Sequence, residues 1–141
     1  QDTNQPASSS LYLSGASHMQ WLAVALGGAL GAMGRFGVNA IIFPVLGGRF
    51  PIGTLVVNVG GSILMGLFYV LIIERGVLPA ELRNLLMVGF LGAFTTFSTF
   101  SLDTLALWQN GHFALATVYV VLNVVLCLAG TLGAIVLTRL F

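Results

Sequence analysis

Four long apolar segments constrain the fold of this chain more than any other feature of its sequence. They cover approximately residues 20–43, 52–73, 82–108 and 113–141. Each is long enough to cross a bilayer as a helix, which takes roughly 20 apolar residues. Because hydrocarbon offers no hydrogen-bond partners to the backbone, we expect helices and not strands. The sequence therefore predicts an all-α integral membrane protein with four transmembrane helices.

The low charge of the chain supports this interpretation and excludes several classes of function. Apolar residues make up 57% of the 141 residues and charged residues only 6%, too few to cover the surface of a water-soluble domain. There is no lysine and the formal net charge is +1, so no basic surface points to a nucleic-acid partner. No histidine or carboxylate is placed to activate a serine or threonine, so the sequence does not predict an enzyme.

Residues 1–18 are polar and differ from the rest of the chain. The letters SHM at positions 17–19 are typical of a cloning site, so we expect residues 1–18 to be a disordered tag or linker remnant. This segment has neither the basic nor the apolar region of a signal peptide. Residues 19–141 are then predicted to form one four-helix transmembrane domain.

The arginines give only a weak preference for one orientation in the membrane. Four spans place both termini on one side, together with Arg75, Arg83 and Arg139, whereas the other side carries only Arg49 outside the spans. This bias favours cytoplasmic termini in a multi-pass protein of the cell's inner (plasma) membrane. A bias of this size is also compatible with insertion in both orientations.

Glycines in the first span mark a surface that another helix can approach closely. Gly27 and Gly31 form a G-x-x-x-G pattern, and Gly34 continues the same face. The partner helix can belong to the same chain or to a second copy. Four small helices alone are too few to enclose both a wide pore and a gate, which favours self-association.

Polar side chains inside the spans are candidates for function because it is costly to bury them in hydrocarbon. Arg35, well inside the first span, is predicted either to have a structural or vestibule role or to contact an anion. The amide of Asn58 can donate hydrogen bonds to a ligand or join two helices. In the fourth span, one face carries a weakly polar stripe formed by Tyr119, Asn123 and Cys127.

The segment GFLGAFTTFSTFS, residues 89–101, combines glycine, hydroxyl and phenylalanine side chains within the third span. Glycine loosens a helix, and Ser and Thr side chains can bond to backbone carbonyls that a break sets free, so we predict a break near residues 92–96. The exposed carbonyls of such a break can bind a cation. Beyond it, Phe97 and Phe100 lie beside a line of hydroxyl groups, and the edges of aromatic rings carry partial positive charge. This combination favours a small anion.

Asp103 is the only acidic candidate within the spans. A carboxylate that changes its protonation state is typical of a proton-coupled exporter. Its position after the run of Ser and Thr residues favours helix capping or a vestibule role instead.

Three motifs taken together resemble the Fluc family of fluoride channels, namely GGALGAMGRFG, GTLVVNVGGSILMG and GFLGAFTTFSTFS. The resemblance covers residues 19–141, with the motifs in the expected order. It implies a passive, fluoride-selective channel through which microbes expel fluoride. It also implies an antiparallel, dual-topology homodimer with two fluoride pores and a structural sodium ion at its centre.

The resemblance also implies roles for particular residues. It places Phe97 and Phe100 in the pore with their ring edges towards fluoride, and Asn58 at the pore end. The sodium ion would be held by the backbone carbonyls of Gly92 and Thr95. The other expected pore residues are Thr54, Ser98, Thr99, Tyr119, Asn123 and Cys127, and the expected vestibule or structural residues are Arg35 and Asp103. The positions of Asn123 and Cys127 are often serine in relatives.

Two other functions are compatible with the sequence. An exporter of the small multidrug-resistance type also has four short helices and forms a dual-topology dimer. It would need an essential carboxylate in the membrane, and the first span has none. A non-conducting subunit of a membrane assembly would use the glycine faces only to contact partner helices.

Overall fold

The computed structural model describes residues 17–46 and 48–141, with side chains for all of these except residues 43–46. Four helical spans in these ranges are long and apolar enough to cross a membrane, which confirms the predicted number of spans. Most of the predicted tag remnant, residues 1–18, lies outside the described residues.

All regular elements in the described ranges are helical, as predicted. In chain order they are α1 (His18–Leu46), α2 (Ile52–Phe68), a π-helix (Tyr69–Glu74), a second π-helix (Arg83–Leu91), α3 (Gly92–Phe94), α4 (Phe97–Gln109) and α5 (Phe113–Leu140). The first π-helix continues α2, and the second begins the third span. We expected the first span to end near Phe43, but α1 ends at Leu46, because a proline such as Pro44 can remove one backbone donor without ending a helix.

The start of α1 is stabilised by two reciprocal hydrogen bonds. The backbone N–H of Gln20 donates to Ser17 Oγ at 3.3 Å, and the backbone N–H of Ser17 donates to Gln20 Oε1 at 3.0 Å. This is a capping box, which satisfies donors that lack a partner within the helix. Ser17 therefore contributes to α1 although it belongs to the segment that we expected to be disordered.

The glycine face of α1 packs against the third span of the same chain. A Cβ atom added at Gly31 would collide with the backbone carbonyl oxygen of Phe90, and one added at Gly27 would also collide with backbone of that span. At Gly34 an added Cβ would lie 3.4 Å from an aromatic ring of α3. Of the two alternatives left open by the sequence, packing within the chain is the one that these glycines serve.

The second and fourth spans form the other close helix pair. A Cβ atom added at Gly66 of α2 would lie 2.5 Å from the carbonyl oxygen of Thr131 in α5. One turn away, the Thr131 hydroxyl donates to the carbonyl of Ser62 at 2.9 Å. Small residues and a hydroxyl that bonds across helices are typical of contacts in membranes.

A tight turn reverses the chain between α4 and α5. The N–H of His112 donates to the carbonyl of Leu107 at 2.9 Å, and the N–H of Gly111 donates to that of Trp108 at 3.1 Å. Gly111 has φ +80°, the left-handed conformation that this end of a helix requires and that glycine adopts without strain. The short turn makes α4 and α5 antiparallel neighbours.

An ion pair joins the ends of the second and fourth spans. Arg139 pairs with the carboxylate of Glu74, and Arg75 donates to the backbone carbonyl of Arg139 at 2.6 Å. The Arg139 and Glu74 side chains are partly exposed, so we expect the pair to add little stability. Their contact places Arg75 and Arg139 at the same end of the molecule, as the sequence predicts.

Candidate functional site

Two residues of the third span have extended backbone between two helical segments. α3 ends at Phe94, Thr95 has φ −84° and ψ 158°, Thr96 has φ −149° and ψ 119°, and α4 begins at Phe97. The N–H and the hydroxyl of Thr95 both donate to the Leu91 carbonyl, at 3.1 and 3.0 Å. The Leu91 carbonyl thus accepts two hydrogen bonds from Thr95 at the end of this helix.

Arg35 contacts the end of the helix that precedes these extended residues. Its Nε donates to the carbonyl oxygen of Ala93 at 3.0 Å. A cation is favourable at this position because the C-terminal end of a helix carries partial negative charge. Arg35 also lies one turn before Asn39, whose amide donates to the Arg35 carbonyl at 3.1 Å. The Arg35 side chain therefore bonds to the third span of the same chain.

The side chain of Asn58 pairs with the backbone of Thr96. The N–H of Thr96 donates to Asn58 Oδ1 at 2.7 Å, and Asn58 Nδ2 donates to the Thr96 carbonyl at 3.1 Å. The same Nδ2 donates to Asn123 Oδ1 at 3.1 Å. An amide nitrogen carries two hydrogens, so both of them have acceptors within the protein. The exposed fraction of each of these three residues is 9% or less.

A second group of hydrogen bonds centres on Asp103. Its Oδ2 accepts the hydroxyls of Thr54 in α2 and Tyr119 in α5, both at 2.9 Å. Tyr119 is fully buried, and its backbone carbonyl accepts a hydrogen bond from Asn123 Nδ2 at 2.9 Å. Asp103 thus joins three of the four spans, and Asn123 and Tyr119 connect it to the Asn58 group.

An open groove of about 400 Å³ runs along α2, the extended residues, α4 and α5. Five residues that we predicted for the pore line it, namely Asn58, Phe97, Phe100, Asn123 and Cys127. No charged side chain is among the described residues that line this groove. The groove is therefore a mainly apolar surface with a few neutral amide, hydroxyl and thiol groups.

The two phenylalanines that line the groove differ in exposure. Phe100 is 9% exposed, and its ring centroid lies 5.4 Å from that of Tyr119. Phe97 is 78% exposed, and its ring lies 5.4 Å from that of Phe100 with an interplanar angle of 56°. Phe100 is thus fixed by packing within the chain, whereas one side of Phe97 is free.

Other predicted residues lie around a second cavity of about 280 Å³. Its lining includes Thr54, Thr99 and Asp103, together with Arg49 from the connection between α1 and α2. A neighbouring cavity of about 380 Å³ includes Arg49, Asp103 and His112. Here the predicted residues share a mixed-charge environment at the end of the molecule opposite the Glu74–Arg139 pair.

The remaining predicted residues are Ser98, Gly92 and Thr95. Ser98 is exposed, and its hydroxyl lies 3.5 Å from that of Thr96. Hydrogen bonds around the extended segment involve the carbonyls of Leu91, Ala93 and Thr96 and not those of Gly92 and Thr95. The described residues contain no cluster of three His, Cys, Asp or Glu side chains that could hold a metal ion.

Thr96 is a central residue that the sequence-based prediction missed. Its hydroxyl accepts the N–H of Thr99 at 3.2 Å, so Thr96 is the N-cap of α4. A threonine directly before an apolar helical segment is the signal that could have identified this cap. The pairing of its backbone with Asn58 has no comparable signal in the sequence.

Comparisons with known proteins agree on one family. Residues 22–135 match the family model described as CrcB-like protein, Camphor Resistance (CrcB). A fluoride-specific ion channel FluC from Saccharophagus degradans is 57% identical over 119 residues, which are 84% of this chain and 89% of that relative. The protein of the same name from Hahella chejuensis is 49% identical over 83% of this chain and 92% of its own length. The one from Methylococcus capsulatus is 52% identical over 87% of this chain but 54% of its own length.

Proposed function

This chain belongs to the CrcB-like family, and on that premise we propose that it is a passive ion channel that carries fluoride out of the cell. The observation that carries the proposal is the groove lined by Asn58, Phe97, Phe100 and Asn123 without a fixed charge. Fluoride is small and strongly hydrated, so a pore must replace its water with several donors. Ring edges and neutral polar groups do this without holding the ion so tightly that it cannot leave.

We assign the fluoride path to the residues predicted for the pore. The residues of the path are Thr54, Asn58, Phe97, Ser98, Thr99, Phe100, Tyr119, Asn123 and Cys127. Arg35 and Asp103 act as vestibule or structural residues. An inside-negative potential drives anions outward, by about 2.3 kcal/mol per charge and 100 mV, so export across the inner membrane needs no coupled ion.

The active unit of the proposal is an antiparallel homodimer with dual topology and two pores. The groove is open along one side, and Phe97, which lines it, is 78% exposed in the single chain. A second copy would close this side and place its own residues opposite the exposed ring. The small excess of arginines on the side of the termini is compatible with both orientations in one membrane.

A sodium ion at the centre of the dimer completes the proposed assembly. The carbonyl oxygens of Gly92 and Thr95 are its ligands in each chain, and these carbonyls take no part in the hydrogen bonds that hold the extended segment. Unwound backbone carbonyls are suitable ligands for sodium. Two oxygens from one chain leave most of the coordination shell empty, so the ion would stabilise the contact between two copies.

Fluoride efflux from liposomes tests the proposed function. Purified protein is reconstituted into liposomes that contain potassium fluoride. Valinomycin lets potassium leave together with fluoride, so that no charge accumulates. We expect rapid efflux that depends on valinomycin and needs no pH gradient. Efflux that occurs only with a pH gradient would favour the exporter, and no efflux from well-folded dimers would favour a non-conducting assembly subunit.

A further inference from the structure

The two extended residues of the third span disturb the regular hydrogen bonding of a helix inside the membrane. An unpaired backbone N–H is costly where neither water nor a helical acceptor is available. Thr96 is 9% exposed, and the extended ψ of 158° at Thr95 directs the Thr96 N–H away from the preceding turn. The acceptor that this N–H uses is the side chain of Asn58, 38 positions earlier in the sequence.

We propose that Asn58 is a positioning residue that clamps the backbone at Thr96 and so sets the position of α4. Its Oδ1 accepts the Thr96 N–H at 2.7 Å, and its Nδ2 donates to the Thr96 carbonyl at 3.1 Å. The second hydrogen of Nδ2 bonds to Asn123 Oδ1. With all its donors used by the protein, Asn58 acts on the anion through Thr96 and not by donating to the anion.

The two contacts with the Thr96 backbone fix the orientation of the Asn58 amide, and Asn123 accepts its remaining hydrogen. If the amide were turned over, its NH2 group would face the N–H of Thr96, and its oxygen would face the oxygen of Asn123. Both contacts would then be repulsive. The neighbouring surface of α2 supports the same backbone position, since Gly61 lacks a side chain where the methyl group of Thr95 packs.

The clamp affects the groove because Thr96 begins the helix that carries both groove-lining rings. Its hydroxyl caps α4 by accepting the N–H of Thr99 at 3.2 Å. Phe97 follows directly, and Phe100 lies one turn later against Tyr119. If Asn58 is lost, the start of α4 is free to shift relative to α5, and both rings shift with it. The effect on transport rests on the proposed channel function, whereas the clamp itself does not.

The sequence offers a direct probe of the clamp, because Thr95–Thr96 is its only Thr–Thr pair. Protein labelled with ¹³C-carbonyl and ¹⁵N threonine therefore gives one selective NMR signal, the N–H of Thr96. We compare the wild-type protein with Asn58→Leu, which is of similar size and has no acceptor. The matched control is Asn123→Leu, which replaces a second buried asparagine without removing the acceptor for Thr96.

We expect the Thr96 amide proton of Asn58→Leu to move upfield and to exchange with solvent about tenfold faster, as for the loss of one hydrogen bond. The control should keep the wild-type signal. In Asn58→Ala the acceptor is also lost, so the signal should again move upfield. This variant tests the clamp if the leucine variant does not fold.

Other outcomes overturn the proposal. An unchanged Thr96 signal in Asn58→Leu, or equal shifts in both leucine variants, would show that Asn58 does not hold this N–H. Loss of fluoride efflux in Asn58→Leu with an unchanged signal would assign Asn58 to direct contact with the anion. If the wild-type protein carries no fluoride, the channel function fails, while the Thr96 signal still decides the clamp.

Discussion

Replacement of Asp103 tests whether transport depends on a group that gains and loses a proton. Its Oδ2 accepts two hydroxyls at 2.9 Å, those of Thr54 and Tyr119. In Asp103→Asn the side-chain oxygen still accepts both hydroxyls, but an amide carries no charge and cannot gain or lose a proton. In Asp103→Leu, which has the same branched shape but no oxygen, neither hydroxyl keeps its acceptor.

The expected costs follow from the hydrogen bonds at this carboxylate. A bond to a charged group is worth about 1.5–3 kcal/mol and a neutral bond about 0.5–1.5 kcal/mol. In Asp103→Asn two bonds to a charged group become neutral bonds, so the free energy of unfolding should fall by at most about 2–3 kcal/mol. The variant no longer buries a charge, which offsets part of this cost. Asp103→Leu leaves two buried hydroxyls unpaired, at about 1–3 kcal/mol each, so its cost is about 2–6 kcal/mol.

Thermal unfolding in detergent and fluoride efflux from liposomes measure the two effects. For a passive channel, Asp103→Asn should retain efflux within about tenfold of the wild type, equivalent to about 1.4 kcal/mol. Neither protein should respond to a pH gradient, and Asp103→Leu should have the lowest unfolding temperature. If Asp103→Asn folds normally but loses transport, or if wild-type transport requires a pH gradient, the reasoning is wrong and a proton-coupled exporter is favoured.

Three further predictions concern the rings, the glycine face and the sodium ion. Phe97→Ile and Phe100→Ile should each lower fluoride efflux at least about tenfold with the dimer intact. Only Phe100→Ile should clearly lower the unfolding temperature, because Phe100 is buried and Phe97 is exposed. Unchanged efflux in both would exclude the ring edges from the mechanism. Gly31→Ala should destabilise the protein by about 1–3 kcal/mol. The control Gly37→Ala should be near neutral, because nothing lies within 4 Å of the added Cβ. Equal unfolding temperatures of the two variants would contradict the packing described for α1. Replacement of sodium by N-methylglucamine should lower the thermal stability of the dimer, and sodium but not potassium should restore it; a stability that does not depend on sodium would remove the ion from the account.

The number and type of the spans were predictable because the bilayer permits few alternatives. An apolar segment of this length has no partner for its backbone other than itself, so helix formation follows from length and composition. The end of α1 was predicted less well. Pro44 indicated a boundary near Phe43, but the effect of one missing N–H depends on neighbouring packing, and α1 continues to Leu46.

The partners of the polar and small residues required the structure. The pattern Gly27–Gly31 predicts close approach of a helix but contains no information on which helix approaches. The contact between Asn58 and Thr96 depends on the rotation of α2 relative to the third span, which the sequence does not encode in any local pattern. The sequence did identify Asn58, Phe97, Phe100, Asn123 and Cys127 as candidates, because polar and aromatic groups at helical spacing are unusual in so apolar a chain, and these five line one groove.

The most direct test of fluoride selectivity is the reversal potential of the reconstituted protein in a planar bilayer. Fluoride is placed on one side and an equal concentration of chloride on the other. The current through a fluoride-selective channel then reverses at a voltage far from 0 mV. The sign of this voltage is the one that opposes the flow of fluoride down its gradient. We predict a large shift of this kind, and the reverse shift when the two solutions are exchanged. A reversal potential near 0 mV in both arrangements would contradict the account.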